Sequence, residues 1–212
     1  MLFMPMDHLD ILILEQLRGL KKDALLIQAL ELTQQHCSKV RFEHVLQVVN
    51  VTAKLAQHYG ADLTVSVLAA ALHDLAKELN PDKLRLLGVS EAQCEATLFD
   101  QHPKVWHAFV GPSLAQKYLT IQDERVWDAM RYHTTGRSHM SLEEKIVFVA
   151  DFIEPTRDHS NQEELEALAT QNLDKAVVYI TTQTIQKCDK LKQTIHPNSF
   201  DCYHYYKPLI NL

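Results

Sequence analysis

Two ionisable side chains, His73 and Asp74, lie next to each other inside an apolar stretch that covers residues 68–79. Ala and Leu dominate this stretch and neither Gly nor Pro interrupts it, so the sequence predicts a buried helix. An imidazole and a carboxylate are costly to bury unless something compensates them. A divalent metal ion accepts both ligand types, so the question is which other side chains reach the same ion.

Four further residues lie in or at the end of separate apolar segments: His44, His107, His133 and Asp151. Taken singly, each fits an ordinary core histidine or a paired acid. Together with the adjacent pair they make four imidazoles and two carboxylates on apolar elements, which predicts one common metal site. The set contains no sulfur ligand, which suits Fe, Mn, Co, Ni or Zn and disfavours a thiolate-type structural zinc.

Cationic side chains accompany these residues along the chain. Arg41 comes one helical turn before His44. Lys77 follows Asp74 by three residues, so Lys77 and Asp74 lie on the same side of the predicted helix. Lys77 is open to two interpretations: a weak surface ion pair with Asp74, or a cation directed at a phosphate beside the metal.

The elements that must position these side chains are helices. Capping signals are Ser38 and Asp62 at helix starts, a capping box at 141–144, and glycines at 60 and 136. The sequence predicts short helices within 82–98, two helices within 162–193, and longer helices near residues 7–20, 22–36, 39–59, 68–79, 104–119, 123–133 and 142–153. From residue 194 onward it predicts a loop-like segment.

The composition bounds the fold and the class of protein. The 212 residues are 46% apolar and 23% charged, with only 5 Gly, which favours a single compact all-α domain. A net charge of -6 argues against a nucleic-acid binder. The four cysteines form no C-x-x-C motif, and no stretch reads as a signal peptide or a membrane span. We therefore expect a cytoplasmic protein with reduced thiols.

Five stretches carry a resemblance to a known family: residues 41–44, 70–77, 106–108, 131–137 and 150–157. Their order and content, with histidine at 44, the doublet at 73–74 and Asp151, resemble HD-domain metal-dependent phosphohydrolases of the branch that contains the symmetrical bis(5'-nucleosyl)-tetraphosphatases. The resemblance covers about residues 38–205. It implies an HD-type helical bundle at 38–212, preceded by a helical extension at 1–37.

The resemblance also implies roles for single residues. Metal ligation falls on His44, His73, Asp74 and Asp151, with iron favoured over Mn, Co, Ni or Mg; a second ion held by His107 and His133, bridged by Asp74, is a variant. Catalytic roles fall on Asp74, His107 and His133. Contact with a nucleotide or its phosphates falls on Arg41, Lys77, His107, His133, Thr134, Arg157, Thr194, Ile195, His196, Pro197, Asn198 and Ser199.

The activity that this resemblance implies is the hydrolysis of diadenosine tetraphosphate to two ADP by a metal-activated water. Two alternatives stay open at this point: an HD-type nucleotidase with another nucleotide substrate, and a non-catalytic helical scaffold with a bound metal. An oxygen-activating di-iron bundle is disfavoured, because no histidine has Glu three residues before it. We expect no nucleic-acid or membrane partner, and a homodimer is left open.

Overall fold

The computed structural model describes residues 24–94, 96–157 and 159–210. Within these ranges the chain is helical and forms no strand, which confirms the all-α prediction. The helices are α1 (Ala24–His36), α2 (Lys39–Tyr59), α3 (Leu63–Leu72), α4 (Pro81–Leu86), a 3₁₀ helix (Glu91–Cys94), α5 (Ala96–Gln101), α6 (Pro103–Tyr118), α7 (Glu124–Tyr132), α8 (Leu142–Ile153), α9 (Gln162–Gln171), α10 (Leu173–Lys190) and α11 (Pro197–Leu209).

Helix α3 is the centre of the bundle. Every residue from Val65 to Leu72 is buried, as expected of a helix that is apolar on all sides. It packs against α1, α2, α7 and α8, and the Thr33 hydroxyl of α1 donates a hydrogen bond to the Ala71 carbonyl. The residues that follow α3, 73–76, are buried as well, and so lie in the middle of the molecule.

The predicted capping signals set the start of the elements around α3. The Ser38 hydroxyl accepts from the Arg41 backbone N–H at the start of α2, and the Asp62 side chain caps α3. Ser141 and Glu144 form a complete capping box at the start of α8. Gly60 has a φ of 68°, the left-handed conformation that ends α2.

The predicted helix over 68–79 is wrong in its second half, because α3 ends at Leu72. The following residues form successive turns, in which Leu75 N–H donates to Leu72 O and Lys77 N–H to Asp74 O. The reason is local: His73 Nδ1 donates to the Ala70 carbonyl at 2.6 Å and takes the acceptor that the next helical N–H would use. High Ala and Leu propensity could not reveal this competing bond.

The chain after residue 194 also differs from the expected loop. Residues 194–196 are non-helical, but α11 then begins at Pro197 and runs to Leu209, with His196 accepting from the Asn198 N–H. Proline suits the first helical position because its missing N–H has no intrahelical partner there. In the same way, Asn80 and Pro81 start α4.

The predicted extension at 1–37 is described only from residue 24, and the predicted helix at 7–20 lies outside the described residues. Its described part, α1, buries Leu26, Ala29 and Leu30 in the common core. The division at residue 38 stays a prediction. Among the described helices, none is both long and apolar enough to cross a membrane.

Candidate metal centre

The six residues predicted to share a site converge around the buried end of α3. Helix α2 supplies His44, the turn after α3 supplies His73 and Asp74, and α6 supplies His107. The remaining two, His133 and Asp151, come from the end of α7 and from α8. The four histidines and Asp74 are at most 6% exposed, and the Asp151 side chain is 15% exposed.

Three of these side chains, His44, His73 and Asp151, have donor atoms that all lie within 4.8 Å of one another, close enough to share an ion. His44 Nε2 lies 3.0 Å from Asp151 Oδ1 and 3.4 Å from His73 Nε2. Asp74 Oδ2 lies 3.7 Å from His44 Nε2 and 3.6 Å from His73 Nε2. Ligand atoms about 2.1 Å from one ion are roughly 3 to 4 Å apart, so these separations fit a common divalent metal.

The other oxygen of Asp74 faces a second group. Asp74 Oδ1 lies 3.1 Å from His107 Nε2 and 3.7 Å from His133 Nε2, and the two histidine Nε2 atoms are 3.2 Å apart. Each carboxylate oxygen of Asp74 therefore faces a different pair of imidazoles. This arrangement also accommodates a bridging carboxylate between two ions.

Two of the histidines have their ring orientation fixed by the same local device. His73 and His133 are each the first residue after a helix, and their Nδ1 atoms donate to the Ala70 and Met130 carbonyls, both at 2.6 Å. A carbonyl oxygen only accepts, so Nδ1 carries the hydrogen. Nε2 is left to face the centre, the arrangement that metal-binding histidines use.

Burial and neighbouring groups shift the pKa values of the site residues in different directions. Burial would raise the pKa of Asp74, but contacts with His73 and His107 hold it well below its usual range. Burial lowers the pKa of His73 to about 4 and that of His107 to about 3, so both imidazoles are neutral near pH 7. Burial would also lower the pKa of His44, but hydrogen bonds to Asp151 and Glu154 raise it to about 9. Metal ligation requires neutral imidazoles, so His44 must release a proton when it binds an ion.

Three cations surround these groups at the opening of the site. Arg41 Nη1 is 3.0 Å from Asp74 Oδ2, Arg157 Nη2 is 2.6 Å from Asp151 Oδ1, and Lys77 Nζ is 3.3 Å from His107 Nε2. Each is about one-third exposed. Among the described residues, the buried Nε atoms of both arginines lack hydrogen-bond partners, and Arg157 Nε lies 3.9 Å from Glu154 Oε1.

A pocket of about 290 Å³ adjoins this centre. Thr134, which follows His133, lines it together with four residues of the predicted nucleotide-contacting segment: Thr194, Ile195, His196 and Ser199. Its wall does not include Pro197 or Asn198. The buried Oγ1 of Thr134 has no hydrogen-bond partner among the described residues.

Two residues, one in the pocket and one beside the metal centre, were not predicted from the sequence. His102, which reads as an ordinary loop residue, lines the pocket, and its ring centroid is 5.0 Å from that of His196. Glu154 is fully buried, with Oε1 2.9 Å from His44 Nδ1. The available signal for Glu154 was an acid at the C-terminal end of an apolar helix, where the helix dipole disfavours it.

The chain belongs to the HD domain family, whose model matches residues 41–156. It is 35% identical over 178 residues to a Bacillus subtilis protein named bis(5'-nucleosyl)-tetraphosphatase, symmetrical, with 84% of this chain and 95% of the relative covered. A Staphylococcus aureus protein of the same name is 30% identical, with coverages of 84% and 93%.

A solved structure shares the fold as well. It is described as a predicted HD superfamily hydrolase involved in NAD metabolism from Clostridium acetobutylicum, with a TM-score of 0.78 and 30% identity. The match covers 85% of this chain and 96% of that chain. The expected resemblance to HD-domain hydrolases is therefore confirmed in both sequence and fold.

Proposed function

We propose that this protein is a metal-dependent phosphohydrolase that cleaves diadenosine tetraphosphate symmetrically into two ADP. The observation that carries the proposal is the position of Asp74, between two pairs of imidazoles and beside a pocket of nucleoside size. The names of the relatives from Bacillus subtilis and Staphylococcus aureus support the choice of substrate.

In this proposal His44, His73, Asp74 and Asp151 hold the metal. The fit rests on the converging donor atoms and on the Nδ1 hydrogen bonds that leave Nε2 free. When bound, the ion would lower the pKa of a water and polarise the phosphate it attacks. Iron is the choice that the resemblance favours over Mn, Co, Ni or Mg. A second ion at His107 and His133 would share Asp74.

The remaining site residues act on the polyphosphate. Arg41, Lys77 and Arg157 neutralise its charge and orient it against the carboxylates. His107 accepts a hydrogen bond from Lys77, and either His133 or His107 would supply the proton to the departing ADP. Thr134 offers its unpartnered hydroxyl at the junction between the phosphates and the pocket.

The pocket holds one nucleoside in this proposal, between the start of α6, the end of α10 and residues 194–196.

A bulky substitution in the wall of this pocket tests the assignment. Cys188 lines the pocket from α10, and Cys188→Phe is expected to raise KM by about tenfold or more while kcat falls less, because the ring occupies nucleoside space. The control is Gln186→Phe, which adds the same ring on an exposed part of α10. Equal KM values in the two variants would contradict the assignment.

Metal binding is expected to stabilise the fold. The site gathers ionised Asp74 and Asp151 among buried imidazoles, and an ion that binds only the folded state adds about 2.7 kcal/mol at 100 times its Kd. Thermal unfolding with and without added Mn²⁺ or Co²⁺ should therefore show a Tm several degrees higher with the ion. Asp151→Asn should remove most of this shift. A shift that persists in the variant would place the ion elsewhere.

Incubation of the purified protein with diadenosine tetraphosphate and each metal in turn, followed by chromatography, tests the activity. ADP as the sole nucleotide product is the expected result. ATP plus AMP would contradict symmetrical cleavage. Turnover of other nucleotides alone would favour the nucleotidase alternative, and no turnover with any metal would favour the scaffold. The cytoplasmic location and a homodimer stay predictions.

A further inference from the structure

We infer that Glu154 is a positioning residue, which orients His44 and makes it a stronger metal ligand than its neighbours. The inference rests on the proposed metal binding and adds a residue that the sequence did not single out. Glu154 directly follows α8 and is fully buried, although a buried carboxylate is costly unless its charge is compensated.

The contacts of Glu154 account for its burial. Oε1 accepts from His44 Nδ1 at 2.9 Å and from the Thr156 hydroxyl at 2.6 Å. Oε2 accepts from the Thr156 backbone N–H at 2.7 Å. Three donors thus meet one carboxylate, an arrangement that favours its ionised form. Thr156 holds the carboxylate in place through both of its oxygens, one of which also accepts from His44.

The orientation of His44 requires a partner from another element. His73 and His133 follow the ends of their helices, where an upstream backbone carbonyl is free to accept from Nδ1. His44 lies inside α2, where backbone carbonyls are used by the helix itself. Glu154 supplies the missing acceptor across the bundle, and so fixes Nε2 of His44 3.0 Å from Asp151 Oδ1.

A carboxylate partner also changes the chemistry of the imidazole. An anionic acceptor at Nδ1 raises the basicity of Nε2 more than a neutral carbonyl does. Among the three site histidines whose Nδ1 partners are described, His44 alone has a carboxylate partner. His44 should therefore contribute most to metal affinity.

Glu154→Gln tests the inference because it keeps the shape and removes the charge. The amide can accept on one side only, so its NH₂ group must face either His44 Nδ1–H together with the Thr156 hydroxyl, or the Thr156 backbone N–H. We expect the Kd for Co²⁺, measured by chelator competition, to rise about 10- to 100-fold, with a changed Co²⁺ absorption spectrum. Glu154→Asp, which keeps the charge, should recover part of the affinity.

Glu143→Gln is the matched control. Glu143 is another buried carboxylate of α8, but it accepts from the Asp62 backbone N–H and lies near Arg125 rather than a site histidine. Its Kd for Co²⁺ should stay within about threefold of wild type, the scatter expected of a residue outside the site. A folded Glu154→Gln variant that binds Co²⁺ as tightly as wild type would overturn the inference.

A second measurement tests the orientation of His44 even if Glu154→Gln does not fold. In the wild-type protein loaded with Zn²⁺, nitrogen NMR should show His44 protonated at Nδ1, and Thr156→Val should shift that resonance by removing a donor to Glu154. Protonation at Nε2, or no shift in the variant, would overturn the inference. Wild-type protein that takes up neither Co²⁺ nor Zn²⁺ would instead contradict the proposed function itself.

Discussion

Asp74→Asn is expected to lower the turnover of diadenosine tetraphosphate by a factor on the order of 10³ or more, with the helical fold intact. The carboxylate places one oxygen toward His44 and His73 and the other toward His107 and His133. An amide keeps only one of these oxygens and carries no charge for a metal. The turn itself depends on the Asp74 backbone carbonyl, which the substitution leaves in place.

Turnover, metal content and circular dichroism of the variant check this expectation together. Asp82→Asn is the control, since Asp82 is an exposed acid of α4 that pairs with Arg85 outside the site. It should keep wild-type turnover. Wild-type turnover in Asp74→Asn would remove the metal-centred account, because no other carboxylate of the site faces both pairs of histidines.

Lys77→Ala is expected to lower kcat/KM about 10²-fold while the protein keeps its metal. Lys77 Nζ lies 3.3 Å from His107 Nε2 and 3.8 Å from Asp74 Oδ1, with 31% of the side chain exposed. An ammonium group is never a metal ligand, so its role in the proposal is to bind phosphate. The alternative, a surface ion pair with Asp74, contributes little and predicts a nearly unchanged kcat/KM.

Steady-state kinetics and metal analysis distinguish the two roles of Lys77. Lys83→Ala, on the exposed face of α4, removes the same charge away from the site and should leave kcat/KM unchanged. Loss of bound metal from Lys77→Ala would show that the lysine maintains the ligand geometry instead. An unchanged kcat/KM would favour the surface ion pair.

Much of the site could be anticipated because its signals are local. Burying His73 and Asp74 in an apolar stretch costs free energy unless another group compensates them. The same holds for Asp151 in the apolar helix α8. Capping residues such as Ser38 and Ser141 then fixed where the helices begin. Residue types and caps were therefore enough to predict an all-α fold and the six converging side chains.

The features that sequence reasoning missed depend on contacts between distant segments. Glu154 and His44 are 110 residues apart, and nothing near either residue indicates that they meet. His102 gains its place in the pocket only because the segment at His196 folds back over α6. The early end of α3 reflects one side-chain hydrogen bond from His73 that competes with the helix.

The central claim is that His44, His73, Asp74 and Asp151 bind one ion between them. Anomalous X-ray diffraction from crystals soaked in Mn²⁺ tests this most directly. We expect a peak about 2.0–2.2 Å from His44 Nε2, His73 Nε2 and one oxygen of each carboxylate. Crystals of active protein with no peak among these four side chains, or with the ion bound elsewhere, would contradict it.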